Sequence, residues 1–227
     1  MSWWSRLYGS DVGKKAVMAI TGIVLFGFVL AHMLGNLKLY MGAEHFNDYA
    51  HWLREVGAPA IPHSGALWAF RIVLLVSVVV HIHAAYSLAL TNSRARPRNY
   101  TGRKTLEASY ASRTMRWGGT ILLLFVAYHL AHLTWGFKWA HPGFVGDDPY
   151  HNVVSGFQVW WVSAIYMAAQ IALGFHLYHG LSSMFQSLGW FRPGFESSRN
   201  RFAHVFAWVV TIGNLSFPIA VLTAVVR

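Results

Sequence analysis

Histidine is the residue type in this sequence whose chemistry and placement stand out. The chain has 13 His against eight Asp and Glu, and it has no Cys. Without thiolates the chain cannot form disulfides, thiolate zinc sites, its own iron–sulfur cluster or a covalently attached haem. Any metal centre must therefore be held by nitrogen or oxygen, and imidazole is the most abundant candidate.

Seven of these histidines fall inside long apolar runs. An ionisable side chain at bilayer depth is costly and is therefore a functional candidate. A lone His of this kind most often only hydrogen-bonds a neighbouring helix, but here four different runs carry at least one, and the runs contain no Asp or Glu to relay protons. Paired ligation of a metal is the economical interpretation. The seven are His32, His81, His83, His129, His132, His176 and His179.

The elements that must position these side chains are long helices. The composition is 55% hydrophobic and 11% charged, which excludes an ordinary soluble enzyme. Runs of about 20 apolar residues match the thickness of a bilayer, and inside hydrocarbon such runs must be helical. We predict an all-α membrane protein with one transmembrane domain, residues 1–227. Its five spans form a bundle and cover about 16–37, 66–91, 117–138, 157–188 and 202–226.

The distribution of charge predicts the orientation. The net charge is +10, and most of the 18 Lys and Arg fall in the segments on the side of the N-terminus. By the positive-inside rule the N-terminus is cytoplasmic and the C-terminus lies outside. This placement also argues against nucleic acid as the explanation of the charge, and membrane lipid is the expected surroundings.

The depth of the histidines predicts how they pair. Imidazoles from two helices on opposite faces of a porphyrin give six-coordinate iron, which suits single-electron transfer. At 1.5 Å per residue, His32 and His129 lie toward the outer face, whereas His83 and His176 lie toward the inner face. Four such helices could hold two haems. Helix periodicity leaves the choice between neighbours open, because His81 and His83 point about 200° apart and His129 and His132 share a face.

Several motifs together resemble one family. They run from residues 12–18 through Ala-His-Met-Leu-Gly-Asn-Leu at 31–37 and Gly-Ala-Glu-His-Phe-Asn at 42–47. Further matches are His-Ala-Ala-Tyr at 83–86, Tyr-His-Leu at 128–130 and Phe-His-Leu-Tyr-His-Gly-Leu at 175–181. The sequence resembles the five-helix, di-haem cytochrome b558 membrane subunit of succinate dehydrogenases and fumarate reductases, the succinate:quinone oxidoreductases.

The resemblance implies a particular set of haem ligands. It places the axial ligands of the proximal haem b on His83 and His176, and those of the distal haem b on His32 and His129. It therefore selects His83 over His81, His129 over His132 and His176 over His179. It leaves the extra histidines without an assigned role.

The resemblance also implies a place in a respiratory complex. A flavoprotein subunit performs the dicarboxylate chemistry of the tricarboxylic acid cycle, and electrons pass through an iron–sulfur subunit to this anchor and a membrane quinone. Menaquinone is the expected quinone, and a bacterial cytoplasmic (inner) membrane is the expected location. No dicarboxylate catalysis is expected on this chain. The basic segment 94–116 would orient the chain and dock the soluble subunits, and the whole complex could assemble into a higher oligomer.

Two regions are candidates for the quinone site. A quinone needs an apolar slot, hydrogen-bond partners for two carbonyls and a proton source. Near the distal haem, Glu44 and His51, with His45 between them, could supply these groups. At the cytoplasmic edge the candidates are Trp4, Ser10 and Lys14, and the sequence does not decide between the two regions.

Two other functions compete with this interpretation. One is the di-haem cytochrome b subunit of another quinone-linked dehydrogenase, which the motifs at 42–47 and 175–181 fit poorly. The other is a transporter with a histidine relay, which predicts broken helices and buried acidic partners. The direction of electron flow and any coupling to proton movement stay open at this stage.

Overall fold

The computed structural model describes residues 8–95, 107–190 and 194–227, with the backbone alone for residues 107–114. Within these residues every regular element is helical, which confirms the expected all-α fold. A short 3-10 helix, Leu37–Met41, extends the first α-helix. The α-helices are α1 (Asp11–Asn36), α2 (Ala43–Glu55), α3 (Gly65–Arg94), α4 (Glu107–Leu133), α5 (Pro149–Gln158), α6 (Trp160–Ser187) and α7 (Glu196–Leu222).

Four of the described helical segments are long and apolar enough to cross a membrane: Asp11–Met41, α3, α6 and α7. They overlap the predicted spans 16–37, 66–91, 157–188 and 202–226, and the chain is a multi-pass membrane protein. Helix α4 covers most of the predicted span 117–138 and ends at Leu133. Its described part is less apolar because it carries Arg116, His129 and His132. That α4 is the fifth span stays a prediction.

Helices that follow one another through the bundle pack antiparallel. The most extensive packing joins α6 to α7 and α1 to α3, followed by α4 with α6. Close approach of α6 and α7 requires a glycine, because a Cβ at Gly174 would overlap the side chain of Thr211. Met33 of α1 packs against Gly213 of α7 in the same way. These contacts fix how closely α6 and α1 approach α7.

The two short helices, α2 and α5, lie at the same end of the bundle, which we call the outer end after the predicted orientation. Asn47 of α2 donates from Nδ2 to Oδ1 of Asp148 at 2.9 Å and accepts at Oδ1 from the backbone N–H of Tyr150 at 3.0 Å. Asp148 also caps α5 by accepting from the N–H of His151. One amide and one carboxylate thus join the two outer helices.

The predicted helix over 157–188 is interrupted at its start. Val159 has an extended backbone, with φ −79° and ψ 105°, and separates α5 from α6. The Ser163 hydroxyl donates to the Phe157 carbonyl at 2.6 Å and so satisfies a backbone oxygen at the break. The break falls at the edge of the apolar run that begins at Val159, so hydropathy alone did not reveal it.

Candidate metal centres

The outer pair of facing histidines consists of His32 on α1 and His129 on α4. Their ring centroids lie 6.0 Å apart at an interplanar angle of 85°. Phe28 stacks on the ring of His32 with centroids 5.3 Å apart, and Phe125 contacts His129 from its own helix. The structure therefore brings together the two residues predicted as distal haem ligands.

The inner pair consists of His81 on α3 and His176 on α6. Their ring centroids lie 6.4 Å apart at an interplanar angle of 63°. Nδ1 of His81 donates to the Met18 carbonyl at 3.1 Å and contacts the Thr21 hydroxyl oxygen at 3.2 Å. The Thr21 hydroxyl itself donates to the Val17 carbonyl at 2.8 Å. Because a carbonyl can only accept, the His81 proton is on Nδ1, and Nε2 has no hydrogen-bond partner in the described residues.

His83, the predicted partner of His176, has a different neighbour. Its Nδ1 lies 2.6 Å from the Tyr8 hydroxyl, and the two rings stack with centroids 5.7 Å apart. The side chain of His83 is exposed, whereas that of His81 is partly buried. The facing partner of His176 is thus His81, and His83 is directed toward the start of α1.

The two pairs lie at different depths in the bundle. A Cβ at Gly119 would lie 3.8 Å from the ring of His176, and Gly119 precedes His129 on α4 by ten residues. At the helical rise this places the pairs about 15 Å apart along the bundle. Helix α1 gives the same separation. Gly22 precedes His32 by ten residues, and a Cβ at Gly22 would lie 3.6 Å from the ring of His81 in the inner pair. One pair is near the outer end and the other is nearer the inner end.

Both pairs suit a macrocyclic cofactor with two axial imidazoles. Metal–imidazole bonds of about 2 Å on opposite sides of one ion would hold the ring centroids about 6 Å apart, close to both observed separations. The helices of each pair, α1 with α4 and α3 with α6, are not among the extensively packed pairs of the described residues. His32 is exposed and the other three rings are only partly buried by protein atoms. Nδ1 of His176 is buried without a hydrogen-bond partner in the described part of the chain.

A polar cluster that sequence reasoning missed surrounds the outer pair. The Tyr166 hydroxyl of α6 lies 3.2 Å from Nδ1 of His129 and 2.9 Å from Nδ1 of His132. His132 is fully buried and stacks on His141 with ring centroids 4.6 Å apart. The spacing of Tyr166, ten residues before His176 on the same helix, is a signal that could have placed it at this depth.

His141 lies outside the predicted spans and is buried. Its Nδ1 donates to the His132 carbonyl at 3.3 Å, and its Nε2 lies 3.0 Å from the Ser155 hydroxyl. Burial lowers the pKa of His141 below its ordinary value, although the bond to the carbonyl of His132 opposes this shift. His141 therefore carries its single proton on Nδ1 at neutral pH.

In the described part of the chain, the extra histidines of α6 and α7 do not stack on one another. His179 contacts the neighbouring Tyr178 ring, with centroids 4.9 Å apart. Tyr178 also packs on His204 of α7, with centroids 4.0 Å apart. These rings pack between α6 and α7 in the inner half of the bundle.

A groove at the outer end lies close to the outer pair. Tyr49 of α2 packs against Gly35 of α1, where a Cβ would clash with the Tyr49 ring. Gly35 lies about one helical turn beyond His32. Lys38 lies over the Tyr49 ring at 5.5 Å, and Trp52 stacks beside it with centroids 5.9 Å apart. The groove is lined by Lys38, His45, Asp48, Tyr49 and Trp52.

The predicted quinone residues are only partly associated with this groove. His45 lines it, whereas Glu44 and His51 do not. Both of those side chains are exposed, and His51 accepts at Nδ1 from Arg54 at a long 3.5 Å. By helix periodicity, Glu44 and His51 lie on a neighbouring face of α2, about 100° from His45.

The alternative inner-edge candidates fall near the start of α1. The Ser10 hydroxyl caps α1 by accepting from the N–H of Gly13 at 3.0 Å, and Lys14 follows in the first turn. Trp4 and residues 96–106 of the basic segment 94–116 lie outside the described residues, so their predicted roles stay predictions. The structure assigns Ser10 a capping role.

Comparison with known proteins identifies the family. Residues 89–215 match the family model of the succinate dehydrogenase/fumarate reductase transmembrane subunit, which is more than half of the chain. The chain belongs to this family. No curated protein and no solved structure gives a significant match. The matched range includes His129 and His176, one member of each facing pair, while His32 and His81 precede it.

Proposed function

We propose that this chain is the membrane anchor and di-haem electron-transfer subunit of a succinate:quinone oxidoreductase, of the cytochrome b558 type. Membership of the transmembrane-subunit family supports the general role. The observation that carries the di-haem proposal is the presence of two facing histidine pairs, with ring centroids 6.0 Å and 6.4 Å apart. Each pair consists of side chains from two different helices, and the two pairs lie at different depths along the bundle.

The proposed axial ligands are His32 and His129 for the outer haem, and His81 and His176 for the inner haem. His81 replaces His83, the ligand that the resemblance implied, because its ring faces His176 and its Nε2 is free. When bound, haem b at these histidines would supply a one-electron carrier.

Two residues of α1 would orient His81, the proposed inner ligand. Met18 and Thr21 hold the Nδ1 proton of His81, which fixes both the tautomer and the ring plane. A ligating imidazole whose other nitrogen donates to a carbonyl is a recurring arrangement in metalloproteins. Nδ1 of His176 is buried and has no hydrogen-bond partner in the described residues, so no comparable bond orients that ring there.

The proposed partners follow from the family. Anchors of this family imply an iron–sulfur subunit and a flavoprotein subunit that performs the dicarboxylate chemistry, and this chain supplies none of that chemistry itself. The proposed electron acceptor or donor in the membrane is a quinone, menaquinone by the same resemblance. The proposed location is a bacterial inner membrane, with α1 beginning on the cytoplasmic side.

The outer groove is the proposed quinone site. Its aromatic rings, Tyr49 and Trp52, offer apolar faces to a quinone ring, and Lys38 and His45 are hydrogen-bond donors at its edge. Asp48 could exchange a proton with the solvent. The groove adjoins the turn after His32, and this proximity is the reason for preferring it over the inner edge. Glu44 and His51 remain the alternative residues, on the neighbouring face of α2.

Reduction of the chain by succinate tests the proposal. Membranes containing the whole complex should show absorbance changes of b-type haem after succinate is added, and a soluble quinone analogue should reverse part of the change. Dithionite gives the full reduction level for comparison. Absence of any succinate-driven change, in membranes where dithionite does reduce haem, would assign the chain to a different dehydrogenase.

A further inference from the structure

The hydroxyl of Tyr166 lies between two histidines of α4. It is 3.2 Å from Nδ1 of His129 and 2.9 Å from Nδ1 of His132. Both histidines contact the Tyr166 hydroxyl through Nδ1, so Nε2 of each ring points away from Tyr166. The Tyr166 side chain is only 5% exposed, so solvent does not compete for the hydroxyl.

Packing fixes the position of this hydroxyl. The Tyr166 ring meets Phe125 edge-on at 5.0 Å and Phe157 edge-on at 4.8 Å between centroids. Phe157 is in turn held at the break between α5 and α6, where its carbonyl accepts from Ser163. A ring confined on two sides can move its oxygen very little, so both hydrogen bonds persist together.

Proton counting gives these bonds a direction, and this step rests on the proposed ligation of His129. If His129 binds iron through Nε2, its proton is on Nδ1, and Nδ1 must donate to the Tyr166 oxygen. The single proton of the Tyr166 hydroxyl then donates to Nδ1 of His132. Nδ1 of His132 is therefore an acceptor, and the proton of that ring is on Nε2.

We propose that Tyr166 is a positioning residue for the outer haem: its hydroxyl accepts from Nδ1 of His129 and fixes the plane of that imidazole. A hydrogen bond at the second nitrogen of a metal-bound imidazole also makes the ring more basic. The bond therefore favours oxidised iron and lowers the midpoint potential of the outer haem. His132 completes the arrangement by accepting the Tyr166 proton.

Tyr166→Phe in the whole complex tests this role, because it removes one oxygen and keeps the ring packing. The matched control is Tyr128→Phe, on α4. The Tyr128 hydroxyl is buried and has no hydrogen-bond partner in the described part of the chain. The readouts are the midpoint potentials of the two haems and their low-spin electron paramagnetic resonance signals, with the inner haem as an internal reference.

The expected result for Tyr166→Phe is a higher midpoint potential and an altered low-spin signal for the outer haem alone. Loss of the outer haem with the inner haem retained would also support the proposal, provided that Tyr128→Phe keeps both. Unchanged outer-haem properties would overturn it, as would loss of both haems, since the proposed effect is local. A wild-type complex without haem would instead refute the proposed function itself.

Discussion

The imidazole of His81 faces that of His176 with ring centroids 6.4 Å apart, whereas His83, two residues along the same helix, bonds the Tyr8 hydroxyl at 2.6 Å. The two α3 histidines point about 200° apart, so the orientation of α3 about its own axis decides which of them faces His176. The hydrogen bonds of His81 to Met18 and Thr21 fix that rotation. Helix packing therefore turns His81, and not His83, toward His176.

Replacement of the two α3 histidines should therefore have opposite effects on haem content. His81→Ala should remove the inner haem, because no other imidazole faces His176 from α3. His83→Ala should retain both haems, and Tyr8 would lose only an exposed hydrogen bond. Haem and iron per polypeptide, measured on the purified complex, compare the two variants directly.

The reverse pattern, with haem lost from His83→Ala and kept in His81→Ala, would restore His83 as the ligand. Retention of both haems in each single variant would mean that either residue can act as the ligand, and the double variant would then lose the inner haem.

A methyl group at Gly174 should destabilise the contact between α6 and α7. The added Cβ would overlap the Thr211 side chain, and overpacking of this kind costs about 1–3 kcal/mol. Gly180→Ala, on the same helix, has no atom within 4 Å of the new Cβ. That control should be neutral or more stable by about 0.5–1 kcal/mol, because glycine is a poor helix former. Unfolding in mixed detergent micelles measures both variants, and equal stabilities would contradict the contact.

Asp148 should stabilise the outer end of the bundle in a pH-dependent way. The backbone N–H of His151 and the amide of Asn47 both donate to its carboxylate and lower its pKa below the ordinary value of 3.8. Its contribution is therefore fully present above about pH 4 and is lost as the pH falls through the lowered pKa. Asp148→Ala should cost about 1 kcal/mol at neutral pH, as loss of a helix cap does.

Asp147→Ala is the matched control for that change, because Asp147 is exposed and neighbours the cap. The stability difference between wild type and Asp148→Ala should shrink as the pH is lowered below about 4. A difference that stays constant across the acid range would show that the carboxylate charge is not responsible.

Substitutions on two faces of α2 separate the candidate quinone residues. His45→Ala and Trp52→Ala change the groove and should raise the KM for quinone, whereas Glu44→Gln and His51→Ala change the neighbouring face and should leave it unaltered. Quinone reduction by the intact complex, assayed over a range of quinone concentrations, gives the comparison. Impairment by Glu44→Gln alone would move the site to that face, and unaltered kinetics in all four variants would move it to the inner edge.

Much of the fold follows from hydropathy, because a bilayer demands helices of a fixed minimum length. Four predicted spans coincide with helical segments long enough to cross a membrane. Hydropathy did not predict the break at Val159, because it does not record the extended backbone of Val159 or the hydrogen bond from Ser163 to the Phe157 carbonyl.

The sequence predicts the depth of each histidine in the bundle better than it predicts the direction in which the side chain points. Rise per residue placed His32 with His129, and the structure brings their rings together. Rise alone cannot separate His81 from His83, since they differ by only about 3 Å in depth. Tyr166 was missed because its role depends on a contact between helices far apart in sequence, which no local pattern records.

The most direct test of the di-haem proposal is a reduced-minus-oxidised optical spectrum of the purified complex, combined with haem and iron quantification per copy of this chain. We predict two b-type haems for each chain, titrating at separate midpoint potentials, because the two histidine pairs have different surroundings. A complex that contains this chain but binds no haem would contradict the proposal and leave the facing histidines without an electron-transfer role.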